Sequence, residues 1–330
     1  MTGMERTKNK KKIALIICAV LVIILLAANL LIGNYLVSFA ITRSAASGAA
    51  VAPEPETSDA ASAAISDYWG ELSEQRRVWL AGVEREDVSI ESDDGLRLVG
   101  DLFPMDESSH RYLIAVHGYT GKRSDMYAYA MLYAERGFNV LTPDMRSHGE
   151  SDGRYIGMGW LDRKDILKWI DLILDRDPQA EIVLHGVSMG GATVMMTSGE
   201  ALPKNVVAIV DDCGYTSVWD VFSDELKYLF HLPDFPFLYT ASGLAKLRAG
   251  YTFGEASALE QVKKSETPIL FIHGSEDNFV HTEMVYRLYD TCPMRKELYV
   301  AEGAGHGQSL FIDPEQYVSR VFGFLDSLEQ

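Results

Sequence analysis

The sequence predicts an α/β fold, in which a mostly parallel sheet has helices on both faces and one membrane-spanning helix precedes it. From about residue 66 onward, short apolar runs alternate with segments of helical period. This pattern is typical of a parallel sheet buried on both sides. Polar residues and glycines follow directly after several of the runs, and residues 13–32 form an uncharged apolar stretch.

The N-terminus has the composition of a membrane anchor. Residues 1–12 contain five basic side chains and one acidic one, and the apolar segment that follows reads IALIICAVLVIILLAANLLI. About 20 apolar residues cross a bilayer as a helix, and a basic flank stays on the cytoplasmic side. We therefore expect a cytoplasmic tail over 1–12 and an anchor over 13–40 that crosses the cell membrane once. The catalytic part of the chain is then extracytoplasmic.

A cleaved signal peptide is the alternative interpretation of this segment. The small residues near 45–47 would suit a cleavage site. The apolar core of a signal peptide is usually only ~7–15 residues long, however, and this one is longer. Cys18 lies inside the apolar run and follows an isoleucine, where a lipoprotein cleavage site would need a small residue. We therefore expect Cys18 to pack within the membrane.

A segment rich in alanine, serine, proline and acidic residues separates the anchor from the main domain. It reads SAASGAAVAPEPETSDAASAA over 44–64 and shows no apolar period. Such a composition is typical of a flexible tether. The expected organisation is a linker over 41–65 and one domain over 66–330. Pairing of Cys213 with Cys292 stays open, because two cysteines make no disulfide framework.

The charge of the chain argues against a nucleic-acid partner. The formal net charge is −17, and because residues 1–12 contribute +4, the rest of the chain carries −21. Surfaces that bind nucleic acid are basic, and the sequence has no basic stripe. The hydrophobic content of 47% allows one large domain with a substantial core.

The predicted strands follow one another in a regular order. After a helical stretch near 73–86, DVSIES (87–92) and LRLVGDLF (96–103) are predicted to form a hairpin, because Asp93-Asp94-Gly95 between them is a turn sequence. Runs that look buried on both faces then occur at 112–118, 138–144, 181–186, 206–212, 268–274 and 297–303. The clearest helix between them is 162–176, whose apolar residues fall on one face.

Residues that are capable of chemistry stand after five of these runs. In a parallel sheet the carboxyl ends of the strands share one edge, and ligand sites form there. We therefore expect these residues to converge on one edge of the sheet. In chain order they are His117, Asp144, Ser188, Asp277 and His306.

Ser188 lies in the sequence GVSMGG, where a predicted strand turns into a helix. A serine on such a sharp turn stands clear of the backbone, and small residues two positions before and after it relieve the resulting clash. Gly186 and Gly190 occupy those two positions. The pattern predicts a nucleophile elbow. An ordinary glycine-rich turn is the alternative that the motif alone leaves open.

A serine nucleophile needs a base, and the base needs an acid that orients it. His306, on a glycine-flanked loop after the last strand, is the predicted base. Asp277, after the preceding strand, is the predicted acid, and Glu276 beside it is the alternative. Asp144 also follows a strand, but it precedes Ser188 in the chain, whereas the order Ser188, Asp277, His306 resembles that of an α/β-hydrolase.

Attack on a carbonyl group creates an oxyanion, which needs two backbone N–H donors. One is expected from Met189, the residue after the nucleophile, at the start of its helix. The second is expected from Tyr119, in the loop HGYTG after the 112–116 strand. A simple glycine turn is the alternative interpretation of that loop.

The remaining histidines are predicted to be structural. Those expected to be packed and hydrogen-bonded at strand ends or in a tight turn are His117, His148, His185 and His273. Those expected at the surface or at helix caps are His110, His231 and His281. A metal site built from His117, His148 and Asp144 is an alternative, but the sequence has no spacing of the H-E-x-x-H type. We expect no metal.

Five motifs together resemble the α/β-hydrolase superfamily. They are HGYTG, PDMRSHGESDG, GVSMGGA, HGSEDNFV and GAGHG, and the match covers about residues 85–328. The chain is most similar to the bacterial membrane-anchored or secreted branch, described as serine aminopeptidase-like or lysophospholipase-like. The resemblance implies an eight-stranded, mostly parallel sheet, a Ser188–Asp277–His306 triad and no cofactor. It does not fix the substrate, because that branch includes esterases, lipases, thioesterases and peptidases.

More than fifty residues separate the strand that ends near Asp212 from the one that starts at Pro268, which is too long for a plain connection. This aromatic, partly helical segment is predicted to be a small helical cap over about 215–262. Its aromatic residues are expected either to line an apolar acyl pocket or to hold the cap on the sheet. They are Trp219, Phe222, Tyr228, Phe230, Phe235, Phe237 and Tyr239.

These observations favour an extracytoplasmic serine hydrolase that cleaves carboxylic esters with short to medium acyl chains or lipid-like substrates. Its expected partners are a small-molecule or lipid-like ester and the membrane. One alternative is a serine peptidase that releases N-terminal residues, which would need an acidic group near the site to hold the α-ammonium. Another is a non-catalytic surface binding module that has kept the fold.

Overall fold

The computed structural model describes residues 3–43, 59–106 and 108–328. Its first element is helix α1 (Gly3–Ile41), which contains the predicted anchor over 13–40. The part of α1 from Asn9 to Ile41 is long and apolar enough to cross a membrane. Most of its large apolar side chains between Ile13 and Leu31 are exposed. Of the predicted linker over 41–65, residues 44–58 lie outside the described residues.

Helix α2 (Asp59–Gly82) begins inside the stretch that the composition assigns to a flexible linker. Its first turns are rich in alanine, the residue with the highest helix propensity, so the same composition also favours a helix. Farther along, α2 buries Ile65 and Leu72, and the ring of Trp69 stacks on that of Phe311 with centroids 4.5 Å apart. Residues 59–65 are therefore helical, because α2 has a domain surface to pack against.

Eight strands form one sheet. They are β1 (Glu86–Glu91), β2 (Arg97–Phe103), β3 (Arg111–Val116), β4 (Asn139–Pro143), β5 (Glu181–Val187), β6 (Val206–Asp212), β7 (Ile269–Gly274) and β8 (Lys296–Ala301). Their order across the sheet is β1-β2-β4-β3-β5-β6-β7-β8. Strand β2 is antiparallel to both β1 and β4, and every other neighbouring pair is parallel. The predicted eight-stranded, mostly parallel sheet is confirmed.

Helices cover both faces of this sheet. After a short 3-10 helix (Arg123–Met126) they are α3 (Tyr127–Ala134), α4 (Asp162–Arg176), α5 (Met189–Thr197), α6 (Val218–Phe230), α7 (Asp234–Ala249), α8 (Ala258–Val262), α9 (Glu283–Thr291), α10 (Ser309–Ile312) and α11 (Pro314–Leu328). Successive side chains of a strand point to opposite faces. In β3, Ile114 and Val116 therefore join the core under α4 and α5, while Leu113 and Ala115 join the core under α2, α3 and α11. This two-sided burial explains why the central strands are continuously apolar.

The cap lies between β6 and β7 and consists of α6, α7 and α8. Helix α6 begins after Ser217, whose hydroxyl oxygen accepts the N–H of Asp220 at 3.0 Å. Helix α7 packs along the C-terminal half of α1, so closely that a Cβ added at Gly33 would lie 2.7 Å from the methyl group of Thr240. The cap is therefore held between the sheet and the C-terminal half of α1.

Candidate active site

Ser188 occupies a strained turn between β5 and α5. Its backbone dihedrals are φ 58° and ψ −118°, in a region that residues with side chains rarely adopt. The N–H of Ser188 donates to the carbonyl oxygen of Asp212 at 2.8 Å, and its own carbonyl oxygen accepts the N–H of Ala192 at 2.9 Å. These bonds to β6 and to the first turn of α5 hold the strained residue in place.

The two flanking glycines are required by close backbone contacts. A Cβ added at Gly186 would lie 2.1 Å from the carbonyl oxygen of Gly190, and one added at Gly190 would lie 2.0 Å from that of Val116. Real side chains do not approach so closely. The serine therefore projects from a turn whose neighbouring positions have no room for side chains, as the predicted elbow requires.

The three residues that the sequence analysis grouped lie within hydrogen-bond distance of one another. Nε2 of His306 is 2.7 Å from Oγ of Ser188, and Nδ1 of the same ring is 2.7 Å from Oδ2 of Asp277. The imidazole thus connects the hydroxyl to the carboxylate. This geometry allows a proton to pass from Ser188 to His306 while Asp277 orients the ring.

Asp277 is buried and heavily hydrogen-bonded. Its Oδ1 accepts the N–H groups of Phe279 at 3.0 Å and Val280 at 2.9 Å, and its Oδ2 lies 3.2 Å from Nε2 of His273. Burial alone would raise the pKa of Asp277, but the charges of His306 and His273 and their hydrogen bonds outweigh burial and hold that pKa well below its usual value. The carboxylate is therefore ionised throughout the physiological range.

Neither alternative acid contacts His306 in this way. The side chain of Glu276 is exposed at the surface. Asp144 is buried and accepts from the guanidinium of Arg123 at 2.6 Å and from the N–H of Glu150 at 2.9 Å. It therefore stabilises the loop that follows β4. Of the three acids considered, Asp277 is the one that bonds His306.

The two predicted oxyanion donors border the same space as Ser188. Met189 is the first residue of α5, and N–H groups in the first turn of a helix have no acceptor within that helix. In the loop after β3, a Cβ added at Gly118 would lie 3.3 Å from Cβ of Ser188, so this loop adjoins the nucleophile. Both Tyr119 and Met189 line the cavity onto which Ser188 opens. Their role as donors stays a prediction.

His117 and His148 are committed to structural hydrogen bonds. Nε2 of His117 accepts the N–H of Met145 at 3.0 Å, and Nε2 of His148 accepts that of Thr120 at 3.2 Å. The Nδ1 atoms lie 2.8 and 2.9 Å from the carbonyl oxygens of Gly118 and Arg146. Burial lowers the pKa of both rings. Since both nitrogens of each ring are engaged, these histidines leave no lone pair for a metal.

The other histidines also have structural surroundings. His185 lies between the hydroxyl groups of Tyr133 and Tyr317, each 3.1 Å away, and burial lowers its pKa to about 3. His231 is the left-handed C-cap of α6, and the exposed ring of His110 pairs with Asp177 at 2.7 Å. His273 differs, because its Nε2 lies 2.8 Å from the carbonyl oxygen of Val280 and 3.2 Å from Oδ2 of Asp277.

Ser188 opens onto an apolar cavity of about 830 Å³, part of it open to solvent. The cap supplies much of the lining, from α6, α7 and the loop that follows α7. Phe279 and Tyr119 close it near the histidine and the oxyanion loop, and Leu36, Phe39 and Ala40 of α1 complete the wall. Among the described residues that line it, Glu225 alone carries an ionisable carboxyl group. The cavity therefore suits an apolar group held beside the serine.

The chain is similar to known hydrolases over most of its length. The sequence profile of the Alpha/beta hydrolase family matches residues 113–320. This chain belongs to the alpha/beta hydrolase family. The uncharacterized Bacillus subtilis protein YqkD is 30% identical to this hydrolase over 217 residues, which cover 66% of this chain and 71% of that protein.

Solved structures place the hydrolase near esterases and peptidases. An esterase of Pyrococcus furiosus aligns with a TM-score of 0.61 and 26% identity, covering 76% of this chain and 92% of that one. The acylaminoacyl peptidase of Pyrococcus horikoshii aligns with a TM-score of 0.55 and 21% identity, covering 75% and 41% of the two chains. The second likeness concerns the fold alone.

The cap of the hydrolase uses fewer aromatic residues around the cavity than the sequence suggests. Of the seven predicted, Phe222 and Phe230 line it. The other five lie elsewhere on the cap and are Trp219, Tyr228, Phe235, Phe237 and Tyr239. The lining residues of α6 recur three and four residues apart, so they share one face of the helix. They are the adjacent pairs Val221 and Phe222, Glu225 and Leu226, and Leu229 and Phe230. The composition of the segment predicted the cap, but the orientation of its helices determines which side chains line the cavity.

Sequence reasoning missed two parts of the site. Glu225 lies four residues from both Val221 and Leu229, on the apolar face of α6. An acidic residue on an apolar helix face is unusual, so the spacing in the sequence could have predicted that Glu225 belongs to the site. Burial and the neighbouring charge of Asp224 raise the pKa of Glu225 to about 7. The contribution of Leu36, Phe39 and Ala40 left no such signal, because it depends on how α1 packs against the cap.

Proposed function

We propose that this hydrolase is a serine esterase, held in the cell membrane by α1, that cleaves carboxylic esters of short to medium or lipid-like acyl chains. The observation that carries this proposal is that hydrogen bonds connect Ser188 through His306 to Asp277. Ser188 also borders an apolar cavity. The name of the Pyrococcus furiosus esterase supports the reaction class. The catalytic domain is proposed to lie outside the cytoplasm, because the basic flank precedes the anchor.

The reaction proceeds in two halves. Oγ of Ser188 attacks the ester carbonyl carbon while Nε2 of His306 accepts the hydroxyl proton. The N–H groups of Met189 and Tyr119 stabilise the resulting oxyanion. As the tetrahedral intermediate collapses, the alcohol leaves with the proton from His306 and the acyl group stays on Ser188. Water then attacks the acyl-enzyme by the same proton transfers, releasing the carboxylic acid and restoring the serine.

Asp277 contributes through its permanent negative charge. Its lowered pKa keeps it ionised while His306 gains and loses a proton. It therefore holds the imidazole with Nδ1–H toward the carboxylate and stabilises the imidazolium that forms in each half-reaction. His273 and the N–H groups of Phe279 and Val280 fix the carboxylate in this position.

The test uses the full chain in detergent micelles with p-nitrophenyl esters from acetate to palmitate. The matched control is Ser188→Ala. We expect turnover by the wild type that the variant loses by about 10³-fold or more. A serine-directed phosphonate should label the wild type and not the variant. Folded wild-type protein that is neither active nor labelled would contradict the proposal and favour a non-catalytic binding module.

A serine peptidase that releases N-terminal residues is the second candidate, and Glu225 is the observation that favours it. Such an enzyme holds the α-ammonium of its substrate with an acidic group, and Glu225 lines the same cavity as Ser188. The apolar surroundings of Glu225 favour the esterase. Aminoacyl p-nitroanilides separate the two candidates: preferential anilide cleavage that Glu225→Gln abolishes, with ester turnover retained, would establish the peptidase.

A further inference from the structure

The C-terminal turns of the anchor helix are built into the hydrolase domain. Val37 and Ile41 of α1 are fully buried and belong to the core on the cap side of the sheet. Beyond the helix, the carbonyl oxygen of Ile41 accepts the N–H of Ile156 at 2.8 Å, and the N–H of Arg43 donates to the carbonyl oxygen of Arg154 at 3.0 Å. The anchor therefore enters the domain as a packed element.

Polar contacts fix the position of α1 against the cap and the site. Nδ2 of Asn29 donates to Oγ1 of Thr240 at 2.6 Å, and the Arg248 guanidinium donates to Oγ of Ser38 at 3.3 Å. The hydroxyl of Tyr119, whose backbone N–H is the proposed oxyanion donor, donates to the carbonyl oxygen of Ala40 at 2.6 Å. The anchor helix thus contacts the proposed oxyanion loop directly.

One face of the same turns lines the cavity. Leu36, Phe39 and Ala40 are spaced three and four residues apart, so they share a face of α1, and that face borders the cavity of Ser188. The ring of Phe39 also packs edge-on against Phe230 of α6 at 5.6 Å between centroids. The cavity is therefore enclosed between α1 and the cap.

The contacts also orient the cap relative to the apolar part of the anchor. Residue 29 of α1 meets residue 240 of α7, and residue 38 meets residue 248, so the two helices run in the same direction. The start of α7 consequently lies level with the charge-free part of α1. Phe235 and Tyr239, near this end, are 75% and 59% exposed. With a rise of ~1.5 Å per residue, Leu36 lies only ~8 Å beyond the exposed Leu31.

We propose that the anchor helix forms one wall of an acyl-chain site that is loaded from the bilayer. The substrate is an ester whose acyl chain is held in the membrane. The chain enters between α1 and the start of α7, past Phe235 and Tyr239, and extends along Leu36 and Phe39 until its carbonyl carbon reaches Ser188. This inference rests on the proposed esterase function and names where its substrate resides.

The first experiment tests the wall. Full-length Leu36→Trp fills the cavity from the anchor side, and Leu31→Trp is the matched control, because Leu31 is on the same helix but 71% exposed. The readout is the ratio of kcat/KM for p-nitrophenyl dodecanoate to that for the acetate. We expect this ratio to fall by about tenfold or more in Leu36→Trp, as for other changes in apolar pockets, and to stay at the wild-type value in Leu31→Trp.

Phe39→Ala provides a second variant should Leu36→Trp fail to fold. It enlarges the cavity, so the preferred acyl chain should lengthen. An unchanged chain-length profile in both cavity variants would overturn the proposed wall. Absence of any Ser188-dependent turnover in the wild type would instead contradict the esterase function itself, so the two failures are distinguishable.

The second experiment tests loading from the bilayer. The full chain is reconstituted in phosphatidylcholine vesicles that contain the dodecanoyl ester of methylumbelliferone, and p-nitrophenyl acetate in the surrounding water serves as the soluble substrate. The double variant Phe235→Ser, Tyr239→Ser is expected to lower the ratio of vesicle to soluble turnover several-fold. Leu247→Ser is the control, because Leu247 is 82% exposed near the other end of α7. Equal ratios in the two variants would overturn loading from the bilayer.

Discussion

At the scale of single residues, the site depends on a strained serine whose neighbours lack side chains. A residue held in a sparsely populated backbone region costs about 1–3 kcal/mol, which the surrounding structure must offset. Around Ser188 the bond to Asp212 and the close approach of Gly190 to Val116 provide that support. The elbow is thus a property of two adjoining strands and one helix.

This argument predicts a large difference between two glycine substitutions. Gly190→Ala places a methyl group 2.0 Å from the carbonyl oxygen of Val116, so we expect a loss of about 3 kcal/mol or more in unfolding free energy. Gly243→Ala in α7 meets no atom within 4 Å and should be neutral or stabilise by about 0.5–1 kcal/mol. Thermal unfolding of the two full-length variants measures this, and equal midpoints would contradict it.

The acid of the triad gives a second prediction. Asp277→Asn removes the charge that stabilises the imidazolium and allows the wrong tautomer of His306, so kcat on p-nitrophenyl esters should fall by about 10³- to 10⁴-fold. Glu276→Gln is the matched control, since that side chain is exposed, and its kcat should equal that of the wild type. A large loss in Glu276→Gln with little loss in Asp277→Asn would assign the acid to Glu276.

Glu225 predicts a dependence of substrate binding on pH. Burial and the charge of Asp224 raise its pKa to about 7, while His306 acts in the opposite direction. Below that pH the carboxyl is neutral and the cavity accepts an apolar acyl chain, and above it the cavity carries a charge. The KM for a dodecanoyl ester should therefore rise between about pH 6 and pH 8. In Glu225→Gln it should stay flat, and parallel profiles would contradict the assignment.

The carboxyl group of Glu225 should also make the stability of the protein fall as the pH rises. Because its pKa is higher in the folded state than in the unfolded chain, the folded state binds the proton more tightly, and stability falls as pH rises from the unfolded pKa to about 7. Glu225→Gln should thus be more stable than the wild type at pH 8. The difference should become small near about pH 3, below the pKa of the unfolded chain, where the carboxyl is protonated in both the folded and the unfolded state. Thermal unfolding at the two pH values checks the sign independently of activity.

At the scale of elements, the strands and the three side chains that meet at their carboxyl ends were predictable because each has a local signature. Strands buried on both faces are continuously apolar, so each predicted run of the sheet corresponds to a strand. The helix at 162–176 has one apolar face and is α4 (Asp162–Arg176). Ser188, Asp277 and His306 follow strand ends, and the sheet brings their side chains together.

Features that depend on packing between distant elements were not predictable in this way. The alanine-rich start of α2 has a composition that suits both a tether and a helix, and the packing of α2 on the domain from Ile65 onward favours the helix. Likewise, the aromatic composition of the cap did not reveal which residues face the cavity, since that depends on the rotation of α6. The packing of α1 on α7 has no sequence signature, because Gly33 and Thr240 are far apart in the chain.

At the scale of the whole molecule, helix α1 and the hydrolase domain share one core. Leu36, Val37 and Ile41 pack in the same cluster as residues of α4 and α5. A shift of α1 would therefore reach the cap through its contact with α7 and the loop after β3 through the bond from Tyr119 to Ala40. The position of α1 and the shape of the cavity are consequently parts of one structure.

This sharing predicts how the protein responds to shortening from its N-terminus. A chain of residues 32–330 keeps the packed turns of α1, whereas a chain of residues 44–330 lacks them. Each buried side chain of Leu36, Val37 and Ile41 contributes about 1.5–3 kcal/mol, so the shorter chain should unfold at a clearly lower temperature. Its turnover of dodecanoyl esters relative to acetate should also fall, since one wall of the cavity is missing. Equal unfolding midpoints and equal chain-length profiles would mean that α1 serves only to hold the domain at the membrane.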